Sequence, residues 1–132
     1  MDFGSCLPTI GTSKSAGLDL YSNEDKMILP SQRKLVSTVL SIYMPNNSFG
    51  FIAPRSSLAV KGIDIGAGIV DFDYTGIVKV LVINNSKLAF NIAPGDRIAQ
   101  LIVLPYKKVT PYIGYIPQTE RGNGGFGSTN AI

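Results

Sequence analysis

The stretch IVKVLVI at residues 77–83, closed by Asn84-Asn85-Ser86, decides the fold. It is apolar except for Lys79, rich in β-branched side chains, and ended by turn residues, which is the signature of a strand. An amphipathic helix would need apolar positions three and four apart over a longer run. The same punctuation recurs outward from it. Lys34 to Tyr43 stops at Pro45-Asn46-Asn47, and Ser48 to Ala53 stops at Pro54, so two successive strands joined by a turn are expected. Ile63 to Val70 is apolar but broken by Asp64, Gly66 and Gly68, and a hairpin is expected around Asp71 to Gly76. Leu88 to Ile92 and Ile98 to Leu104 flank the turn Ala93-Pro94-Gly95-Asp96. Only Ser56 to Lys61 reads as a helix, of one or two turns, with Arg55 or Ser56 near its start. The fold class is therefore all-β, a sandwich or barrel of jelly-roll type with one short helix. A chain of 132 residues suits one domain. We assign that domain to 1–120 and a flexible Gly-rich C-terminal arm to 121–132, because Gly122, Gly124, Gly125 and Gly127 leave no strand or helix there at rest.

Composition narrows the chemistry. Histidine is absent, so the usual proton acceptor near neutral pH is missing and acid-base work falls to the nine carboxylates. Any metal would be a hard cation held by oxygen, with Mg²⁺ on substrate phosphates the natural case. Cys6 is the only cysteine, which excludes an internal disulfide, and with no histidine it cannot build a structural zinc site. The net charge of +3 suits a phosphate-bearing ligand without requiring one. No run of about 18 apolar residues exists, and residues 1–6 lack the features of a signal peptide. A soluble intracellular protein with neither a membrane nor a nucleic-acid partner is expected, with cytoplasm and nucleus both open.

Three segments carry groups that handle phosphate or protons, two of them rich in glycine. Pro54-Arg55-Ser56-Ser57 brings a guanidinium and two hydroxyls to the expected helix start, where anions are attracted, although a serine there can equally be a plain cap. Gly68 to Gly76 contains Asp71 and Asp73, two residues apart. On a strand they would share a face and repel, as suits a general base or a metal anchor, while at a hairpin tip they would simply be solvated. The tail holds Arg121, backbone N–H groups freed by glycine, and Ser128-Thr129, the ingredients of a phosphate nest, but it lacks the lysine and following helix of a Walker loop.

Taken together and in order, five segments resemble the five motifs of the trimeric dUTPase family: AGLDLYS from Ala16, PRSSLAVKGI from Pro54, GAGIVDFDYTG from Gly66, GDRIAQLI from Gly95 and RGNGGFGST from Arg121. The resemblance spans Ala16 to Thr129. It implies a jelly-roll homotrimer with three active sites, each built from all three chains, that hydrolyses dUTP to dUMP and pyrophosphate with Mg²⁺. It further implies that Asp71 activates the attacking water, that Gln100 helps hold that water, and that Tyr74 stacks under deoxyribose and crowds out a 2′-hydroxyl. The backbone of Gly66, Ala67, Gly68, Ile69 and Val70 lies where uracil is read. Arg55, Ser56 and Ser57 fall on the phosphate-binding segment, and Asp19 matches a carboxylate that supports the metal through water. Arg121, Ser128 and Thr129 match γ-phosphate contacts, with Phe126 as a lid over uracil and Gly127 beside it. Phe72 departs from the small or acidic residue usual between the two aspartates. The related dCTP deaminases carry a catalytic glutamate on the strand after the hairpin, where Ile77 to Asn84 has no acid and Leu81 stands roughly at that position. A non-catalytic nucleotide sensor on the same scaffold is the rival of another class, against which Asp71, Gln100 and the full tail all count.

Overall fold

Alternation along one strand shows where the core lies. From Lys79 to Asn84, every second side chain (Val80, Val82, Asn84) is fully buried and those between are not, so one face of this strand is packed and the other is not. The computed structural model describes residues 7–127. The strands are β1 Thr9–Ile10, β2 Leu18–Tyr21, β3 Lys26–Ile28, β4 Arg33–Ser37, β5 Ser48–Ala53, β6 Ile63–Gly66, β7 Ile69–Val70, β8 Lys79–Asn84, β9 Phe90–Ile92 and β10 Arg97–Pro105, with one helix, α1, at Ser56–Ala59. They form a five-stranded sheet in the order β1-β2-β10-β5-β7, a three-stranded sheet β4-β8-β6 and a β3-β9 ribbon, all pairings being antiparallel. The sheets stay open instead of closing into a barrel, and the all-β, jelly-roll type reading holds.

The core joins the two larger sheets: Leu20, Ile52, Ile98, Ala99 and Leu101 from one side meet Val36, Ile63, Val80 and Val82 from the other. Each fully buried valine or leucine side chain contributes about 1.5–3 kcal/mol through burial. Among the described residues every buried polar side-chain atom has a hydrogen-bond partner. Asn84 donates to the carbonyls of Ile28 and Leu88, both at 2.8 Å, and so ties the β3-β9 ribbon to β8. Thr38 Oγ1 donates to Val78 O at 2.8 Å.

Several segments differ from the sequence reading. The strand expected over Lys34 to Tyr43 ends at Ser37, since Thr38 and Leu40 turn to bond Val78. The segment expected over Ile63 to Val70 divides into β6 and β7, which lie in different sheets. Its breakpoint is Ala67-Gly68, where both residues adopt positive φ (55° and 100°). The residues Asp71 to Gly76 are consequently not the tip of a simple hairpin. Tyr74 N–H closes a turn on Asp71 O at 3.1 Å, but β7 pairs with β5 while β8 pairs with β4 and β6. Because Asp71 opens a turn and Asp73 lies inside it, the alternation along a strand that would bring both carboxylates to one face does not apply. The helix is shorter than Ser56 to Lys61, and its cap is Arg55 without a side-chain bond, so Ser56 is the first helical residue and not the cap.

Candidate active site

Two groups of motif residues emerge, one between the three-stranded sheet and the β7 edge of the five-stranded sheet, the other on the five-stranded sheet. The first surrounds a cleft of about 250 Å³, near the small end for ligand pockets, lined by residues 65–71 together with Tyr74, Val78, Lys79 and Leu81. Its origin is a parting of strands. β6 and β8 pair up to Gly66↔Leu81, where a side chain on Gly66 would collide with Leu81 at 2.7 Å. The next facing position would join Gly68 to Lys79. Gly68 instead turns away, and its carbonyl accepts Ile52 N–H at 2.7 Å. A Cβ on Gly68 would lie 2.7 Å from Ile52 O, so this close approach requires glycine.

The consequence falls on Lys79, which sequence reasoning missed. Val78 exchanges both backbone bonds with the chain leading from β4 (N–H to Leu40 O at 2.8 Å, and O from Thr38 N–H at 3.1 Å). In an antiparallel strand, successive residues direct their N–H and C=O groups to opposite edges. Lys79 therefore directs a donor and an acceptor toward the edge that Gly68 has left, into the cleft. The signal was present as the glycines opposite it, but only the register shows what they face. Asp71 and Tyr74 stand at the mouth of the cleft, both exposed. The Tyr74 hydroxyl donates to Ile77 O at 2.7 Å, which braces the ring across its turn, and a side chain on Gly76 would meet that hydroxyl at 2.9 Å.

The second group sits on three neighbouring strands. Gln100 of β10 lies between Asp19 of β2 and Ala53 of β5 in register, and its Nε2 donates to Pro54 O at 3.0 Å. A Cβ on Gly17 would lie 2.5 Å from Gln100 Oε1, so that glycine gives the amide its room. Arg55 Nε is 3.5 Å from Asp19 Oδ1, while Arg97 Nη1, also missed from the sequence, is 3.6 Å from Asp19 Oδ2. Ser56 and Ser57 follow, exposed, on α1.

One chain does not bring the two groups together. The register Gly50↔Val70 carries Asp71 on toward Phe49, and both residues line one surface depression. Gln100 lies opposite Ala53, four residues further along β5. At a strand rise of about 3.3 Å per residue, roughly 13 Å separates the two positions, and Arg55 is roughly 20 Å away. Arg121, Phe126 and Gly127 belong to neither group. Arg121 Nε donates to Gly124 O, Gly124 N–H to Arg121 O and Gly122 N–H to Thr119 Oγ1, all within residues 119–124, and Phe126 is fully exposed. Ser128 and Thr129 lie outside the described residues. Among the described residues no three His, Cys, Asp or Glu side chains are grouped as metal ligands, and no helix is long and apolar enough to cross a membrane.

The family model for dUTPase matches residues 5–130. The deoxyuridine 5′-triphosphate nucleotidohydrolase of Monkeypox virus is 48% identical over 123 residues, covering 92% of this chain and 82% of the relative. That of Vaccinia virus (strain Copenhagen) is also 48% identical, covering 92% and 84%. Among solved structures, the native EIAV dUTPase superposes with a TM-score of 0.76 at 32% identity, covering 85% of this chain and 93% of that one. The Staphylococcus bacteriophage 80alpha dUTPase with dUPNHPP reaches 0.82 at 22% identity, covering 93% and 90%, a likeness of fold.

Proposed function

From the premise that this chain belongs to the dUTPase family, we propose that it hydrolyses dUTP to dUMP and pyrophosphate in sites shared between the chains of a homotrimer. Such an activity limits uracil entry into DNA and supplies dUMP for thymidylate synthesis. The observation that carries the reading is the cleft left where β6 and β8 part, with backbone groups directed into it and Asp71 and Tyr74 at its mouth. Uracil offers a carbonyl acceptor beside an N–H donor, the complement of the Lys79 N–H and C=O. Cytosine reverses both and would leave two buried groups facing their like. The Gly66–Val70 backbone forms the opposite wall.

In the proposed reaction Asp71 accepts a proton from a water molecule as its oxygen attacks the α-phosphorus. The bond from that phosphorus to the bridging oxygen breaks, and pyrophosphate departs with the electron pair. Positioning and charge neutralisation do most of the work in such a transfer. Arg55, Ser56 and Ser57 take the phosphates, Gln100 steadies the water, and Arg121, Ser128 and Thr129 reach the γ-phosphate while Phe126 and Gly127 close over the base. The chain's donor set suits a Mg²⁺ held mainly by phosphate oxygens, with Asp19 facing it through water. Bound there, the ion would neutralise charge on the leaving group.

Sharing between chains is supported by the separation within one. Asp71 and Gln100 cannot hold the same water across roughly 13 Å of β5, so a second copy must bring its Gln100, Asp19 and Arg55 to the first copy's cleft. The domain 1–120 would carry these groups, and the arm 121–132 would come from a third copy. The segment leading to the arm also calls for a neighbour: Val109, Tyr112, Ile113, Tyr115 and Ile116 are almost wholly exposed, an apolar run that single chains rarely leave uncovered.

Pyrophosphate release measured side by side with dUTP, dCTP, dTTP and UTP tests the reading, with sedimentation of the same sample. Turnover of dUTP alone, by a species of three chains, is expected. Equal turnover of dCTP would refute the base recognition, and a fully active single chain would refute the shared site. Tyr74→Ala should lower the ratio of kcat/KM for dUTP over UTP by about tenfold or more, the order by which a filled pocket discriminates against one added group. An unchanged ratio would remove this ring from sugar selection.

A further inference from the structure

We propose that Arg97 is a positioning residue for the phosphate end of the site, acting through Asp19, and that the β-bulge in β10 exists to bring it there. The inference rests on the functional reading above, which gave Arg97 no part. Along β2, Leu20 is buried in the core, so Asp19 and Tyr21 lie on the opposite face. Gln100 is opposite Asp19 and shares its face. Strict alternation back from Gln100 would put Ile98 on that outer face and drive Arg97 toward the core. Instead Ile98 and Ala99 are both buried, at 1% and 0% exposure, which an unbroken strand does not allow. The register shifts between Arg97 and Ala99, so that Arg97 pairs with Tyr21 and its side chain emerges beside Asp19. Re-aiming a side chain in this way is what an extra residue in a strand accomplishes.

Arg97 is held from two sides. Its Nη1 lies 3.6 Å from Asp19 Oδ2 and its guanidinium carbon 6.0 Å from the centre of the Tyr21 ring, while the Tyr21 hydroxyl is tied to Thr9 Oγ1 at 2.7 Å. The other carboxylate oxygen, Asp19 Oδ1, faces Arg55 at 3.5 Å. One carboxylate thus sits between two guanidinium groups, a trio with one positive charge in excess, while the neighbouring Asp96 carboxylate accepts Ala93 N–H at 2.9 Å. Without Arg97, Asp19 would spend its whole charge on Arg55 and turn the phosphate-binding cation into a neutral pair. Arg97 therefore leaves Arg55 available and fixes the orientation of Asp19 through its second oxygen.

The test is binding of a non-hydrolysable dUTP analogue and of deoxyuridine to the full chain, in the presence and absence of Mg²⁺. Arg97→Gln should weaken the analogue about three- to fivefold, the scale of a half-exposed charge pair, and leave deoxyuridine unchanged. Arg97→Lys, which returns a positive charge beside Asp19, should recover most of the loss. With Asp19→Asn already in place, Arg97→Gln should add little. Analogue affinity equal to that of the unaltered protein, an equal loss for deoxyuridine, or a full-sized loss in the Asp19→Asn background would each overturn the proposal. Failure of the unaltered protein to bind the analogue would overturn the functional reading itself, whereas normal binding that Arg97→Gln does not change overturns only the part given to Arg97.

Discussion

Asp71→Asn is expected to lower dUTP turnover by roughly 10²- to 10⁴-fold, the worth of a positioned base, while a non-hydrolysable analogue binds nearly as before. The sequence has no histidine to substitute for it. Of the carboxylates, Asp71 is the one that lines the cleft with Tyr74. Asp73, two residues on, lines the neighbouring depression beside Phe49 and Tyr106 but not the cleft. An asparagine keeps the shape of the side chain and can still hold a water by hydrogen bonding, but it cannot accept the proton that attack on phosphorus releases. Binding should survive because the proposed contacts to base and phosphates come from other groups. Single-turnover kinetics and analogue titration on the same preparation separate the two effects. A variant that retains more than a tenth of the original kcat would take Asp71 out of the role of base.

A chain ending at Glu120 should keep the assembly state of the full chain and bind dUTP, yet turn it over at least about tenfold more slowly. Gly122 and Gly127 are in the left-handed region and Phe126 shares it at φ 53°, and residues 121–127 form turns and neither helix nor strand. Arg121 Nε donates to the carbonyl of Gly124 within the same turn. Closing over a nucleotide would require that bond to be exchanged for phosphate and the segment to be ordered, at about 1–2 kcal/mol per residue of backbone entropy. Contacts that exist only with a γ-phosphate can supply this, so dUMP should leave hydrogen exchange in 121–127 unchanged and the analogue with Mg²⁺ should slow it. Closure also expels water from around the α-phosphorus, which is why the loss should appear in kcat as well as in KM. A truncation with the full chain's assembly state and full turnover, or exchange that does not respond to the analogue, would reduce the arm to an ordinary tail.

Parts of this architecture were legible residue by residue. The run 77–83 announced β8 because its length, branching and terminal Asn84-Asn85-Ser86 are local properties, and Ser48 to Ala53 returned as β5 with its boundaries intact. The N-terminal strands were not legible. At two to four residues, β1, β2 and β3 are too short to complete a recognisable alternation; β2 and β3 exist because the distant β10 and β9 pair with them, and β1 because β2 is there to pair with. The division of 63–70 between two sheets was hidden for a similar reason, since the glycines at 66 and 68 marked a close approach without saying to what.

By itself the sequence determined that the chain is all-β, that no histidine is available for proton transfer, and which five segments resemble the family's motifs, because these follow from composition, local periodicity and order along the chain. Only the tertiary structure decided which of them meet. It set Asp19, Arg55 and Gln100 side by side, left Asp71 roughly four residues of β5 away from Gln100, turned the backbone of Lys79 into the cleft, and brought Arg97 out beside Asp19. Each of these depends on register between strands far apart in the chain. Register is chosen by burying Ile98, Ala99, Val80 and Val82 together, a condition on the whole core that no single segment contains.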